Sequence, residues 1–215
     1  MSADSVSAGS RLNTLLVAAD LEPLDAALAD RFGDYVSLLL RWNLRLNLTA
    51  IRDEGGILSR HFVESIACAR ALPPGIRTLL DLGSGAGFPG IPISLCRPEI
   101  TVSLAESQGK KAAFLQEAVR VLGVHGKVLA QRAESLFVQF DCVTLRAVDR
   151  MTKAIEVASE LVAPGGWLAV MTTDSELHNL TGAAGPELTW KEPVRLPGSL
   201  QRVLALGFRK LSSPV

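Results

Sequence analysis

The sequence predicts an α/β protein: a doubly wound, mostly parallel sheet with helices on both faces. Two observations carry that prediction. From Ile76 to Thr172, short apolar runs alternate with helix-length amphipathic runs. One of the short runs, Ile76–Leu82, leads straight into Gly83-Ser84-Gly85-Ala86-Gly87-Phe88-Pro89-Gly90 and then an apolar helix. Strand, glycine turn and helix open the nucleotide-type sites of α/β sheets.

In chain order, residues 1–10 read as a disordered start. A helical block of residues 11–75 follows. Arg11–Leu21 is a short amphipathic helix. A second helix starts at Pro23, which lacks an N–H to satisfy, and carries Leu24, Leu28, Phe32, Tyr35, Val36, Leu39 and Leu40 on one face through about Leu46. Gly55-Gly56 is read as a break, and Ile57–Leu72 as a third helix stopped by Pro73-Pro74-Gly75. The sheet unit spans 76–215. Its strands are Ile76–Leu82, Ile100–Glu106, Lys127–Gln131, Cys142–Leu145 and Trp167–Thr172; its helices are Phe88–Cys96, Lys110–Leu122 and Met151–Val162. Ala163-Pro164-Gly165-Gly166 is a helix-to-strand turn. Leu188–Leu196 and Gln201–Phe208, joined at Pro197-Gly198, read as a C-terminal antiparallel hairpin that brings the sheet to seven strands.

Lys plus Arg and Asp plus Glu are 22 each, so the chain is neutral overall and is no bulk polycation. The balance is uneven: residues 73–153 carry 10 basic and 7 acidic side chains, and several of the cations fall near strand ends. Cys68, Cys96 and Cys142 are odd in number and set in apolar runs, which suits buried thiols of a reducing compartment rather than a disulfide frame or a zinc site. With no signal peptide and no span long enough for a membrane, a soluble cytoplasmic protein is expected, with no metal.

Read as Gly85-x-Gly87-x-x-Gly90, the turn matches a dinucleotide fingerprint in the wrong register, because Asp81 and Gly83 come first. An Asp at a strand tip repels a pyrophosphate. S-adenosylmethionine has no phosphate; its sulfonium and ammonium groups are attracted by Asp81, and backbone N–H groups can hold its carboxylate, with Gly83 and Gly85 as candidate cofactor-binding residues. A tight turn without ligand is the bland reading. Glu106 ends the second strand, where an acidic side chain faces ribose hydroxyls; the alternative is a surface Glu.

The motifs Asn47-Leu48-Thr49, Arg60-His61-x-x-Glu64-Ser65, Asp81 to Gly90 with its Gly-Phe-Pro-Gly ending, Glu106-Ser107-x-Gly109-Lys110-Lys111, Arg132-Ala133-Glu134 and Arg146-Ala147 together resemble the ribosomal small-subunit methyltransferase G family, also called glucose-inhibited division protein B. The resemblance implies a class I methyltransferase fold, S-adenosylmethionine as cofactor, and methylation of guanine N7 at position 527 in the 530 loop of 16S rRNA. It also implies Phe88 beside the cofactor, backbone N–H at Ala133 or Glu134 on the adenine, and Arg146 in the site. This chain departs from the family at Glu64 and Glu106, where Asp is common, and at Thr172, where Lys is common.

Arg146 ends the fourth strand. Amino-group methyltransferases place an Asn/Asp-Pro-Pro-aromatic motif there to hold an exocyclic amine, and Leu145-Arg146-Ala147 stands instead. No Pro-Cys nucleophile pair is present either. Such a site suits an atom that needs neither deprotonation nor covalent activation, as guanine N7 does. Arg146 is the catalytic candidate, orienting the base through O6; the alternative is a structural ion pair with Asp149 or Glu134. Arg132 is a second candidate, for a phosphate or the base. Lys110 and Lys111 open a helix, where a phosphate partner would offset the dipole; solvated lysines are the other reading. Asn47, Thr49 and His61, in the helical block, are candidate RNA contacts, and a satisfied interior His is the alternative for His61. Two rival functions stay open: a small-molecule methyltransferase, and a nucleotide-binding regulatory module without catalysis. A monomer acting on the small ribosomal subunit is the expected form.

Overall fold

A computed structural model describes residues 6–148 and 150–211 of the chain. Of the expected irregular start, residues 1–5 lie outside the described residues. The first helix, α1 (Ala8–Ala18), begins earlier than periodicity suggests because the Ser7 hydroxyl caps it through the Ser10 N–H. Helix α2 (Ala26–Leu46) starts after Pro23, not at it: Asp25 Oδ1 accepts from the Leu28 N–H at 2.8 Å and sets the boundary. The expected break at Gly55-Gly56 is instead a first helical turn, capped by Asp53 at the Gly56 N–H. A Cβ at Gly56 would lie 2.8 Å from Ile51, so glycine serves packing there. From this turn α3 (Glu54–Ile57), the wider π-type turns Leu58–Val63 and α4 (Glu64–Ala71) run on as one rod.

The strands are β1 (Thr78–Leu82), β2 (Thr101–Ala105), β3 (Gly126–Leu129), β4 (Phe140–Arg146), β5 (Val162–Thr173), β6 (Leu188–Trp190), β7 (Val194–Arg195) and β8 (Arg202–Arg209). Helices α5 (Gly90–Cys96), α6 (Gly109–Leu122), α7 (Met151–Leu161) and α8 (Asp174–Ala183) connect them. The sheet order is β3-β2-β1-β4-β5-β8-β6, parallel from β3 to β5 and antiparallel at β8. The expected C-terminal hairpin differs in one respect. Its first arm is broken around Pro193 into β6 and β7, which pair with successive parts of β8, so the sheet has eight strands rather than the expected seven. The Ala163–Gly166 turn lies inside β5, where the register to β4 jumps between Phe140 and Cys142.

Side chains alternate along the strands, and each face has its own core. Leu79, Cys142 and Ala169 point to one face, where they share a cluster with Leu12, Phe32, Tyr35 and Phe62 of the N-terminal helices and Phe114 of α6. Leu80, Val143 and Val170 point to the other, against Ile155, Ala158 and Leu180 of α7 and α8. The helical block therefore covers one sheet face and ends beside β1 and β4. Among the described residues, no helix is long and apolar enough to cross a membrane, and no His, Cys, Asp and Glu cluster could hold a metal ion.

Candidate active site

The strand order reverses between β1 and β4, and ligands of open α/β sheets bind at such a point, outside the carboxyl ends of the strands. A cavity of about 460 Å³ opens there. The segments after β1, β2, β3 and β4 line it, and Leu48, Thr49 and His61 of the helical block close one side.

The glycine turn is built by its backbone. Gly83 and Gly85 have φ of +72° and +58°, a region that L side chains rarely adopt. A Cβ at Gly83 would also come 2.9 Å from Val148, whereas one at Gly85 would meet nothing closer than 3.8 Å. Gly90 is fixed by packing, because a Cβ there would sit 2.7 Å from the Asp81 carboxylate. The N–H groups of Gly83 and Ser84 both donate to the Ala105 carbonyl at 3.0 Å, and Gly87 and Phe88 donate to the Ser84 carbonyl. The buried Tyr35 hydroxyl donates to the Ala86 carbonyl. Burial and the Asp81 charge push that phenol well above its ordinary range, so it stays a donor.

This bonding refines one expectation, for the glycines, and corrects another, for Asp81. The Gly83 N–H is already spent inside the protein, and so is that of Gly85, which donates to Glu106 Oε2 at 3.1 Å. Both glycines line the cavity, with these two N–H groups engaged inside the protein. Asp81 does not face a ligand. It is 1% exposed and absent from the cavity wall; its oxygens accept from the Ser84 hydroxyl, the Thr144 hydroxyl at 2.8 Å and the Gly90 N–H at 3.1 Å. A buried carboxylate needs such partners, and these three tie β1, β4 and α5 together. Burial raises its pKa, and the hydrogen bonds and the Arg146 charge pull it back. Asp81 shapes the turn.

Glu106 lies on the wall at the end of β2, buried, with Oε1 accepting from the Gln108 N–H at 2.7 Å. Each oxygen keeps a lone pair for a further donor. Ala133 and Glu134 form a short 3₁₀ turn across the cavity from the helical block and line it. Phe88 lines it too, stacked near-parallel with His61 at 4.9 Å between ring centroids and with Tyr35 at 5.3 Å.

Arg146, at the tip of β4, is on the wall and is also ion-paired. Among the described residues its partner is Glu64 of α4 rather than Glu134; Asp149, the other candidate named from the sequence, lies outside the described residues. Arg146 Nη2 donates to Glu64 Oε2 at 2.9 Å and to the Arg60 carbonyl, and Nη1 donates to the Ser65 hydroxyl at 3.3 Å. Glu64 Oε1 takes Arg202 Nε of β8 at 2.5 Å. Burial pushes the Arg146 pKa down and Glu64 pushes it back up. Nothing in the sequence pattern paired these residues. The one local signal was a carboxylate among Val63, Ser65 and Ile66, all buried.

The remaining candidates separate. Thr49 and Lys111 line the cavity, and so does Arg132, which is exposed. Lys110 is exposed off the wall. Asn47 is off the wall too, a left-handed helix end whose amide oxygen accepts from Arg52 at 2.6 Å. His61 is a neutral group rather than a phosphate-binding cation. Burial, then Arg146 and Arg60, lower its pKa to about 3, and Nε2 shares a 2.7 Å hydrogen bond with Thr49 Oγ1. Thr172 is buried and donates to Glu176, which removes it as a substrate contact. Arg150 and Lys153, two further cations of the basic segment 73–153, also reach the wall. With Lys111, Arg132 and Arg146 they set five cations against the carboxylates of Glu106 and Glu134 among the described lining residues. A neutral chain thus has a basic mouth.

A sheet of this order with a glycine turn after β1 and an acid after β2 defines a class I, S-adenosylmethionine-dependent methyltransferase. The fold matches a putative O-methyltransferase from Klebsiella pneumoniae (TM-score 0.58, 16% identity, 93% of this chain and 96% of that one). It also matches a SAM dependent methyltransferase from Aquifex aeolicus (TM-score 0.57, 18% identity, 72% and 93%). Within that class the chain belongs to the rRNA small subunit methyltransferase G family, whose model matches residues 29–191. The curated Ribosomal RNA small subunit methyltransferase G of Roseiflexus sp. (strain RS-1) is 38% identical over 197 residues, covering 85% of this chain and 84% of that one.

Proposed function

We propose that this protein methylates N7 of guanine 527 in the 530 loop of 16S rRNA, as a cytoplasmic monomer. The observation that carries the reading is the tip of β4: a part-buried guanidinium on the cavity wall where an amine-methylating site needs an acceptor for N–H. A guanidinium donates only. It suits a guanine O6 and leaves the neighbouring N7 lone pair free to attack. A two-pronged O6/N7 grip would block that atom, so one prong goes to O6.

When bound, S-adenosylmethionine supplies an electrophilic methyl group. Glu106 would hold its ribose hydroxyls, and the Ala133–Glu134 backbone its adenine, with Phe88 alongside. The cavity fits such a molecule: Gly83, Gly85 and Phe88 line it beside Glu106, which has unspent lone pairs. Arg132 and Lys111 at the mouth would meet RNA phosphate, with Thr49 and neutral His61 offering shape and polarity; Lys110 and Asn47, off the wall, would serve RNA farther out. Residues 76–215 would bind the donor, and the helices of residues 11–75 would wall the cavity. No proton has to leave N7, so the rate should be flat from pH 7 to 8.

One observation favours a second duty for Arg146. The Gly83 and Gly85 N–H groups are satisfied inside the protein, so the donor carboxylate needs another cationic or N–H partner, and the guanidinium is at hand. Titration calorimetry with Arg146→Ala separates the duties. Weakened donor affinity assigns the carboxylate; unchanged affinity with a lost rate assigns O6 alone. The reading as a whole is tested by labelled methyl transfer to small subunits lacking the modification. Label at guanine N7 is expected, and label on an exocyclic amine or on no RNA would refute it.

A further inference from the structure

We propose that Arg202 and Glu64 are positioning residues for the transfer step: Arg202 occupies one carboxylate oxygen of Glu64 so that Glu64 can hold Arg146 by one contact only. The proposal rests on the reading of Arg146 given above. Neither Glu64 nor Arg202 lines the cavity, so both act through Arg146.

Glu64 is 1% exposed, and its two oxygens are divided between two guanidiniums from different strands. Oε2 takes Arg146 Nη2 and Oε1 takes Arg202 Nε. An arginine facing a carboxylate with both oxygens open closes into a two-pronged pair. Arg202 blocks that geometry. Arg146 Nη1 goes instead to the Ser65 hydroxyl and a second Nη2 proton to the Arg60 carbonyl. Among the described residues this leaves Nε–H and one Nη1–H of Arg146 unclaimed, on a side chain that borders the cavity. The charges agree: two cations on one buried anion leave a net positive charge at the tip of β4, where the substrate acceptor belongs. Arg202 can hold this place because its backbone pairs with Thr173 at the carboxyl end of β5, the same end of the sheet as Arg146.

The test is a cycle of Arg202→Gln and Arg146→Ala, read by single-turnover methyl transfer to unmethylated small subunits at saturating donor, with melting temperature on the same preparations. Arg202→Gln is expected to lower the rate about 10-fold in the wild-type background and to change nothing further with Arg146→Ala in place. Arg202→Lys keeps a charge on Oε1 and should retain most of the rate, even if Arg202→Gln folds poorly. An equal loss from Arg202→Gln in both backgrounds, or a lowered melting temperature with an unchanged rate, overturns the proposal while leaving the reading of Arg146 standing. Arg202→Lys as slow as Arg202→Gln also overturns it. A full rate in Arg146→Ala alone removes both.

Discussion

The two walls of the cavity are made differently. The side proposed to hold the donor is backbone: Leu82 to Ala86 and Phe88, folded back on β2 by hydrogen bonds to the Ala105 carbonyl, with one carboxylate, Glu106, laid against them. The side proposed for the acceptor is side chain: Arg146 lines it and is held from behind by Glu64 and Arg202, which meet it across 82 and 138 residues of sequence. A backbone wall is set by local conformational demands and tolerates no Cβ at some positions. A side-chain wall is set by the whole fold and stands on the satisfaction of buried charge.

Breaking the acceptor side should therefore cost the most stability. Glu64→Ala leaves the guanidinium of Arg146, whose side chain is 12% exposed, without its buried counter-charge. Removing one partner of a buried pair costs about 3–5 kcal/mol, and denaturant unfolding should show a loss of that size. A loss under about 1 kcal/mol would mean that Arg146 finds water, as a surface pair does. The donor side should fail by a different route. Gly85→Val places a β-branched residue at φ +58° in otherwise open space, so the damage is backbone strain of roughly 1–3 kcal/mol rather than a clash. Donor affinity measured by calorimetry should fall at least about 10-fold. Retained affinity in a folded variant would remove the turn from the site.

His61, which lines the cavity, gives a pH-dependent effect that is absent at neutral pH. Its folded pKa of about 3 lies below the unfolded value of 6.5, so the unfolded chain binds the extra proton between them. Stability is unaffected above about pH 6.5 and is lost as pH falls toward 3, at no more than about 1.4 kcal/mol per pH unit. His61→Asn should flatten stability against pH in that window; an unchanged slope would mean that the ring protonates freely. The smallest effect is expected at the rim. Lys111→Ala should lower the slope of log affinity for RNA against log salt by about one, and Lys110→Ala, off the cavity wall, by less. Equal effects would spread the RNA contact beyond the mouth.

The same contrast explains what was legible in the sequence. The alternation from Ile76 to Thr172 locates β1 to β5 and the helices between them, because strand and helix periods are local properties. Helix α8 escaped, since Leu180 is its one buried residue and it has no apolar stripe to detect. Gly55-Gly56 misled, because glycine there serves a close approach to Ile51 and not a break. Asp81 was recognised as important from its place at a strand tip, but its direction was not: the residues that turn it inward, Thr144 and Gly90, come from β4 and α5. Arg146 was legible as a site residue from its position, whereas Glu64 and Arg202 became partners of it only through the packing of α4 and β8 around β4. Local sequence carries the donor wall; tertiary contact carries the acceptor wall.

The central claim is that the acceptor wall works through the guanidinium of Arg146. The most direct measurement is the single-turnover rate of methyl transfer by Arg146→Ala at saturating donor, normalised to folded protein. The account expects a loss of roughly 100-fold, poorly restored by Arg146→Lys because a point charge lacks the fixed fork. A variant of lowered melting temperature that still transfers methyl groups at the wild-type rate would contradict it.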